Sequence, residues 1–217
     1  MNKYAAFFDV DDTILADNSG KLMVKYAYQR GVINKVDILQ GYYNYLLYKI
    51  GFKTPEHLVI KMSSWLRGFS EHKLLDFSND FFDKIVIPYI RKQAQKEIDL
   101  HQKKNARTVI LSATTNYLCS PLKDHLNMDD IICTVMEVIN GTLSGSSHGA
   151  FCYGIEKLKR LRRYCKEHCF DLQDTYYYTD SISDLPVLEA VGYPVCVTPD
   201  AKLERVAQER NWPIMNW

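Results

Sequence analysis

The stretch Phe7-Phe8-Asp9-Val10-Asp11-Asp12-Thr13-Ile14-Leu15 (FFDVDDTIL, residues 7–15) sets three carboxylates directly behind an apolar run. Packed acids repel one another and are costly to take out of water unless a positive partner joins them. A divalent cation relieves that repulsion, and so does a phosphate bound through such a cation. Residues 4–10, YAAFFDV, form a short apolar segment that suits a buried parallel strand ending in Asp9.

Working outward, the texture changes from about residue 21 to 104. KLMVKYAYQRGV, VDILQGYYNYLLYKIGF, PEHLVIKMSSWLRGF and the long run from Glu71 place apolar residues at three- and four-residue spacing. Gly31, Gly51 and Gly68 punctuate a series of helices without a clear strand. Strands return at ARTVILSAT (106–114), within DDIICTVMEV (129–138), at TYYYTDS (175–181) and at YPVCVTP (193–199). Asn140-Gly141 between MEVI and TLSG is a hairpin signal. Residues 154–169 read as a basic amphipathic helix. Strand and helix thus alternate after residue 105, with a helical block inserted behind the first strand. The pattern predicts an α/β parallel sheet with a helical cap near its carboxyl edge.

The chain has 217 residues, 47% of them hydrophobic, enough for one large domain or a domain with an insertion. Lys plus Arg number 27 and Asp plus Glu 26, a balance that gives no electrostatic reason to expect nucleic acid or an anionic membrane. The apolar run in MNKYAAFFDVDD is too short for a signal sequence, and no stretch approaches the roughly 18 apolar residues of a membrane span. Six cysteines, 119, 133, 152, 165, 169 and 196, lack CxxC spacing, and a reduced cytoplasmic protein is the expectation. Cys165, His168 and Cys169 cluster on a predicted helix, but no second ligand pair completes a zinc pattern.

Four segments end a predicted strand or open a helix with residues suited to phosphate chemistry, where parallel sheets gather ligands. They are Asp9 with Asp11, Ser112 in LSATT, Lys157 in CYGIEK, and Asp180 with Asp184 in YTDSISD. In this order they resemble the four motifs of the haloacid dehalogenase superfamily, beginning with DxDxT at Asp9–Thr13. The helical block resembles the C1-type four-helix cap of subfamily IB, the phosphoserine-phosphatase-like branch. RG at 30–31, LRGFS at 66–70, MEVINGTLSG and DSISDLPVLEAVGYPVCVTPD agree with that branch.

The resemblance implies a Rossmann-like parallel sheet core over 1–15 and 106–217, with the helical cap over 16–105. It implies a magnesium-dependent phosphatase acting on a small phosphorylated metabolite. Asp9 is the implied nucleophile, forming an aspartyl-phosphate. Asp11 is the implied general acid and later base, its backbone carbonyl joining the metal shell. Asp9, Asp11, Asp180 and Asp184 are the implied Mg2+ ligands, Asp184 in either the inner or the outer shell. Ser112, Ala113 and the neighbouring amides would hold phosphoryl oxygens, and Lys157 rather than Lys159 would balance charge. Thr13 is expected to shape the turn and support Asp9, and Asp12 to be a solvated turn residue. Arg67 lies either against substrate or in solvent. Ser112 also reads as a helix N-cap.

Two departures weigh against phosphoserine itself. Asn18, nine residues after Asp9, stands where those enzymes carry a glutamate that meets the substrate ammonium. SATT replaces their Ser-Gly-Gly. Tyr42, Tyr43, Tyr45 and Tyr48, with Leu46, Leu47 and Phe52, read as cap core, or as a pocket or surface for a lipid phosphate. A phosphotransferase using the same aspartyl-phosphate is the other enzymatic alternative, and a non-catalytic binding protein the third.

Overall fold

The computed structural model describes residues 4–40, 43 and 66–217. β1 (Ala5–Phe8) is buried along its whole length. It pairs in parallel with β2 (Arg107–Thr115) on one side and β6 (Tyr176–Thr179) on the other. A strand covered on both faces must be apolar at every position, which accounts for AAFF without polar alternation. Ala6 and Phe8 enter one core; Ala5 and Phe7 enter the opposite one. Phe8 stacks on Tyr178 with ring centroids 4.5 Å apart, and Phe7 meets Tyr164 edge-on at 5.5 Å.

β3 (Asp130–Thr134), β7 (Tyr193–Val197) and β8 (Ile214–Met215) complete a parallel sheet of order β3-β2-β1-β6-β7-β8. The chain winds outward from β1 to β3, then restarts at β6 on the other side of β1. The order therefore reverses beside β1, and the crevice at its carboxyl end is where such sheets bind ligands. β8 and the helix before it were not evident from residue pattern. β8 is only two residues long and its Ile and Met carry no periodicity to read.

α1 (Ser19–Gln29) and α2 (Glu71–Phe81) lie within the inserted block, and residues 35–40 are also helical. α3 (Lys92–Lys103) lies inside the stretch expected to form the cap, yet it packs on the sheet. Its Ile98 shares the core with Phe8, and its buried His101 is bonded by Tyr4 OH at 3.0 Å and Tyr178 OH at 2.8 Å. Burial holds the His101 imidazole down to about 4, so the ring is neutral and serves as a polar link in the core. α4 (Asn116–His125), α5 (Ile155–Glu167), α6 (Leu185–Leu188) and α7 (Ala201–Arg210) connect the later strands.

β4 (Met136–Ile139) and β5 (Thr142–Ser147) form the antiparallel hairpin expected at Asn140-Gly141. Both turn residues take positive φ, 50° and 73°, which selects Asn and Gly there. The hairpin, α2 and α4 enclose a small core of Leu66, Leu74, Tyr117, Met136 and Leu143. Of the tyrosine-rich helix only Tyr43 is described, and it is exposed. Tyr42, Tyr45, Leu46, Leu47, Tyr48 and Phe52 lie outside the described residues. Among the described residues no helix is long and apolar enough to cross a membrane.

Candidate active site

β1 delivers Asp9 to the crevice, and its amide stays tied to β6 through Tyr178 O at 2.9 Å. The chain then makes a wide turn over Val10–Ile14, closed by Leu15 N–H to Val10 O at 2.9 Å. Asp12 sits at φ 55°, a left-handed conformation that Asp tolerates better than most residues. Arg91 braces the turn from outside, donating to Asp12 O and Leu15 O, both at 3.4 Å, and to the Trp217 carbonyl. That geometry sends Asp9 and Asp11 to different neighbours.

Asp9 Oδ1 accepts from Val10 N–H at 2.8 Å, and Asp9 Oδ2 lies 3.1 Å from Lys157 Nζ. Burial pushes the Asp9 carboxyl above the usual carboxylate range, while Lys157 pulls it back. Ser112 is buried in β2, where pairing with β3 is irregular between Leu111 and Thr115. The N-cap of α4 is Thr115, so the N-cap reading of Ser112 does not hold. Its hydroxyl instead accepts from Thr114 N–H at 3.2 Å. Ala113, beside it, is half-buried.

Lys157 lies in the first turn of α5 and is buried, whereas Lys159 is exposed and pairs with Glu156. Its ammonium meets Asp184 Oδ2 at 2.7 Å, Asp9 Oδ2 at 3.1 Å and Tyr177 OH at 3.1 Å. Burial opposes the charge, but Asp184 and Asp9 more than offset it, so Lys157 stays protonated. Asp184 Oδ2 also accepts from Tyr177 OH and Thr179 Oγ1, each at 2.7 Å. Its other oxygen, Oδ1, is buried and has no hydrogen-bond partner among the described residues. Tyr177 and Thr179 were missed in the sequence. Their two-residue spacing on β6, which returns both to one face, is the signal that finds them.

Asp180 follows β6. Burial first, then repulsion from Asp9 and Asp12, pushes its carboxyl up to about 8. Thr13 Oγ1 donates to Asp180 Oδ1 at 3.4 Å, so Thr13 supports this acid rather than Asp9. Asp200 holds the loop behind it, its Oδ2 accepting from Ile182 N–H at 2.8 Å. Asp11 turns toward α1: Ser19 N–H donates to Oδ1 at 2.8 Å, and Asn18 Nδ2 and Thr114 Oγ1 reach Oδ2 at 3.2 and 3.4 Å. Burial raises Asp11 to about 6, partly countered by the Ser19 bonds. Arg67 is exposed, and its Nε donates to Ser144 O of the hairpin at 3.1 Å. Its hydrogen-bond partner is thus the hairpin, not the acidic group.

Asp9, Asp180 and Asp184 bring three carboxyl groups to one crevice with the Lys157 ammonium. Burial and mutual repulsion raise Asp9 and Asp180, and among the described residues Asp184 Oδ1 has no hydrogen-bond partner. An all-oxygen donor set whose acids repel one another fits a hard divalent cation such as magnesium, which would favour their ionised forms. Among the described residues no three His, Cys, Asp or Glu side chains form a ready-made cage. Magnesium commonly uses one or two carboxylates and takes its remaining ligands from water and substrate oxygens. The six cysteines are free, and Cys165, His168 and Cys169 form no such group.

The family model for haloacid dehalogenase-like hydrolases matches residues 6–189. The chain belongs to that family. A histidinol-phosphatase of Neisseria meningitidis serogroup C (strain 8013) is 29% identical over 220 residues, covering 99% of both chains. A Bordetella pertussis Tohama I protein of unknown function shares the fold with a TM-score of 0.91. It is 23% identical, with 100% of this chain and 99% of that one covered. A substrate-bound phosphoserine phosphatase shares it at TM-score 0.74, at 17% identity, over 99% and 93% of the two chains. The haloacid dehalogenase-like fold and the family expected from the four motifs are thus both found.

Proposed function

We propose that this haloacid dehalogenase-like phosphatase hydrolyses a small phosphomonoester through an aspartyl-phosphate on Asp9, with magnesium as cofactor. The carrying observation is Asp9 at the carboxyl end of β1, buried and 3.1 Å from the Lys157 ammonium. Asp9, Asp180, Asp184 and the Asp11 carbonyl would hold the metal, which when bound supplies charge neutralisation between carboxylates and phosphoryl oxygens. Asp9 Oδ attacks phosphorus as the ester P–O bond breaks. Lys157 offsets charge beside the transferring group, and Ser112 with the Ala113 and Thr114 region receives phosphoryl oxygens. Asp11, raised to about 6, gives its proton to the departing alcohol oxygen and then accepts one from the hydrolytic water.

Histidinol phosphate and phosphoserine, the substrates that the relatives' names indicate, are both monoesters of primary alcohols with a neighbouring amine. We assign the same class here, with Asn18 favouring a substrate other than phosphoserine. The stretch from residue 16 to Arg91 serves as the cap, α3 belonging to the core, and free thiols suit a cytoplasmic setting. Inorganic phosphate release tests the proposal. The panel is histidinol phosphate, phosphoserine, phosphoethanolamine, sugar phosphates, nucleotides and lysophosphatidate, with magnesium, with chelator and with Asp9→Asn. Release that needs magnesium and vanishes in the variant supports the reading; release that persists in Asp9→Asn overturns it.

A further inference from the structure

We infer that Asn18 is a positioning residue for the proposed general acid, holding Asp11 through one end of its amide while capping α1 with the other. Asn18 Oδ1 accepts from Lys21 N–H at 3.1 Å, and Asn18 Nδ2 donates to Asp11 Oδ2 at 3.2 Å. The two bonds fix the orientation of the amide. Turned over, it would set its nitrogen against an N–H and its oxygen against a carboxylate. Ser19 N–H, the first amide of the same helix, takes the other Asp11 oxygen at 2.8 Å. The acid is thus pinned from both oxygens by the start of α1, the first element of the inserted block.

Gly20 gives an independent sign that this clamp is closely fitted. Gly20 is the second residue of α1, two positions after the capping Asn18. A Cβ at Gly20 would lie 3.1 Å from Asn18 Oδ1, a tight contact that makes the amide give by a few tenths of an ångström. Around Asp11 stand Asp9 and Asp12 from its own turn, Ser19 and Asn18 from α1, and Thr114 from β2. As the ester P–O bond breaks, the Asp11 proton passes to the alcohol oxygen and leaves a carboxylate. Asn18 and Ser19 are already donors to that carboxylate, and they keep its remaining lone pair aimed at the leaving group.

The inference rests on the phosphatase reading, so its test separates the two. Asn18→Ser keeps a capping hydroxyl but is too short to reach Asp11. Its kcat on an alkyl phosphate should fall about tenfold to a hundredfold, a part of what a general acid contributes. On p-nitrophenyl phosphate, whose leaving group needs no proton, the fall should stay within about threefold. Gly20→Ala should show the same selective loss in weaker form. Equal losses on both esters, or none on either, overturn the inference while leaving the phosphatase reading standing. A crystal structure of Asn18→Ser decides independently of turnover. A displaced Asp11 carboxylate is expected, and an unmoved one overturns the assignment.

Discussion

Replacing Lys157 with methionine probes the centre of the site through stability rather than turnover. The Lys157 ammonium is fully buried between Asp184 Oδ2 at 2.7 Å and Asp9 Oδ2 at 3.1 Å. Methionine fills the space but leaves two buried carboxylates without their shared cation. Removing one partner of a buried ion pair costs about 3–5 kcal/mol, because the surviving charge is stranded. For a chain of this size that is a drop of roughly 6–20 °C in Tm. Asp184→Asn added to Lys157→Met should recover about 1–3 kcal/mol, since contacting groups do not add. The asparagine oxygen keeps Tyr177 and Thr179 as donors, and one stranded charge is gone. The destabilisation should shrink as pH falls, because the stranded Asp9 carboxyl, already raised by burial, takes up a proton. Urea unfolding of wild type, both single variants and the double variant, at constant m-value, reads all of this. A cost below about 1 kcal/mol for Lys157→Met, or strict additivity in the double variant, would mean that Lys157 does not hold the two carboxylates as a buried ion cluster.

Asp11 and Asp180, raised to about 6 and about 8 by burial, bind protons more tightly folded than unfolded. Their stabilising protonation is complete below their unfolded values near 4 and is lost as pH rises through the folded values. Chelator-treated protein should therefore melt at lower temperature at pH 8 than at pH 5, and millimolar magnesium should flatten that slope. A flat apo profile in differential scanning calorimetry would contradict the raised acids assigned to the site. Gly192→Ala should cost at least about 3 kcal/mol, beyond ordinary overpacking. A Cβ there would stand 1.8 Å from Gln173 O, and a wild-type Tm for the variant would deny that contact.

Local signals carried much of the architecture. AAFF before Asp9 identified a strand buried on both faces, and Asn140-Gly141 identified a hairpin whose two positive φ angles follow from those residue types. The side of the sheet on which α3 rests was hidden. An amphipathic pattern shows that a helix has an apolar face but not which partner meets it, and nothing in the residue pattern places Tyr4 and Tyr178 around the His101 ring.

At the site, the grouping of Asp9, Asp180, Asp184 and Lys157 was legible, because each ends a strand or opens a helix. Their supports were not. Tyr177 and Thr179 reach Asp184 only because β6 turns both to one face. Asn18 meets Asp11 only because the wide turn, with Asp12 left-handed, folds α1 back onto it. Thr13 serves Asp180 for the same reason. Contacts made across a turn depend on dihedral angles that residue spacing does not reveal.

An aspartyl-phosphate is tested most directly by finding the phosphoryl group on the protein. The enzyme, turning over a preferred monoester with magnesium, is quenched in acid, reduced with borohydride and mapped by peptide mass spectrometry. An acyl phosphate on Asp9 reduces to homoserine at that position. Homoserine is expected at position 9 in the wild type and none in Asp9→Asn. Active enzyme with no reduction at position 9, or with homoserine at Asp11 or Asp180 instead, would contradict an aspartyl-phosphate on Asp9.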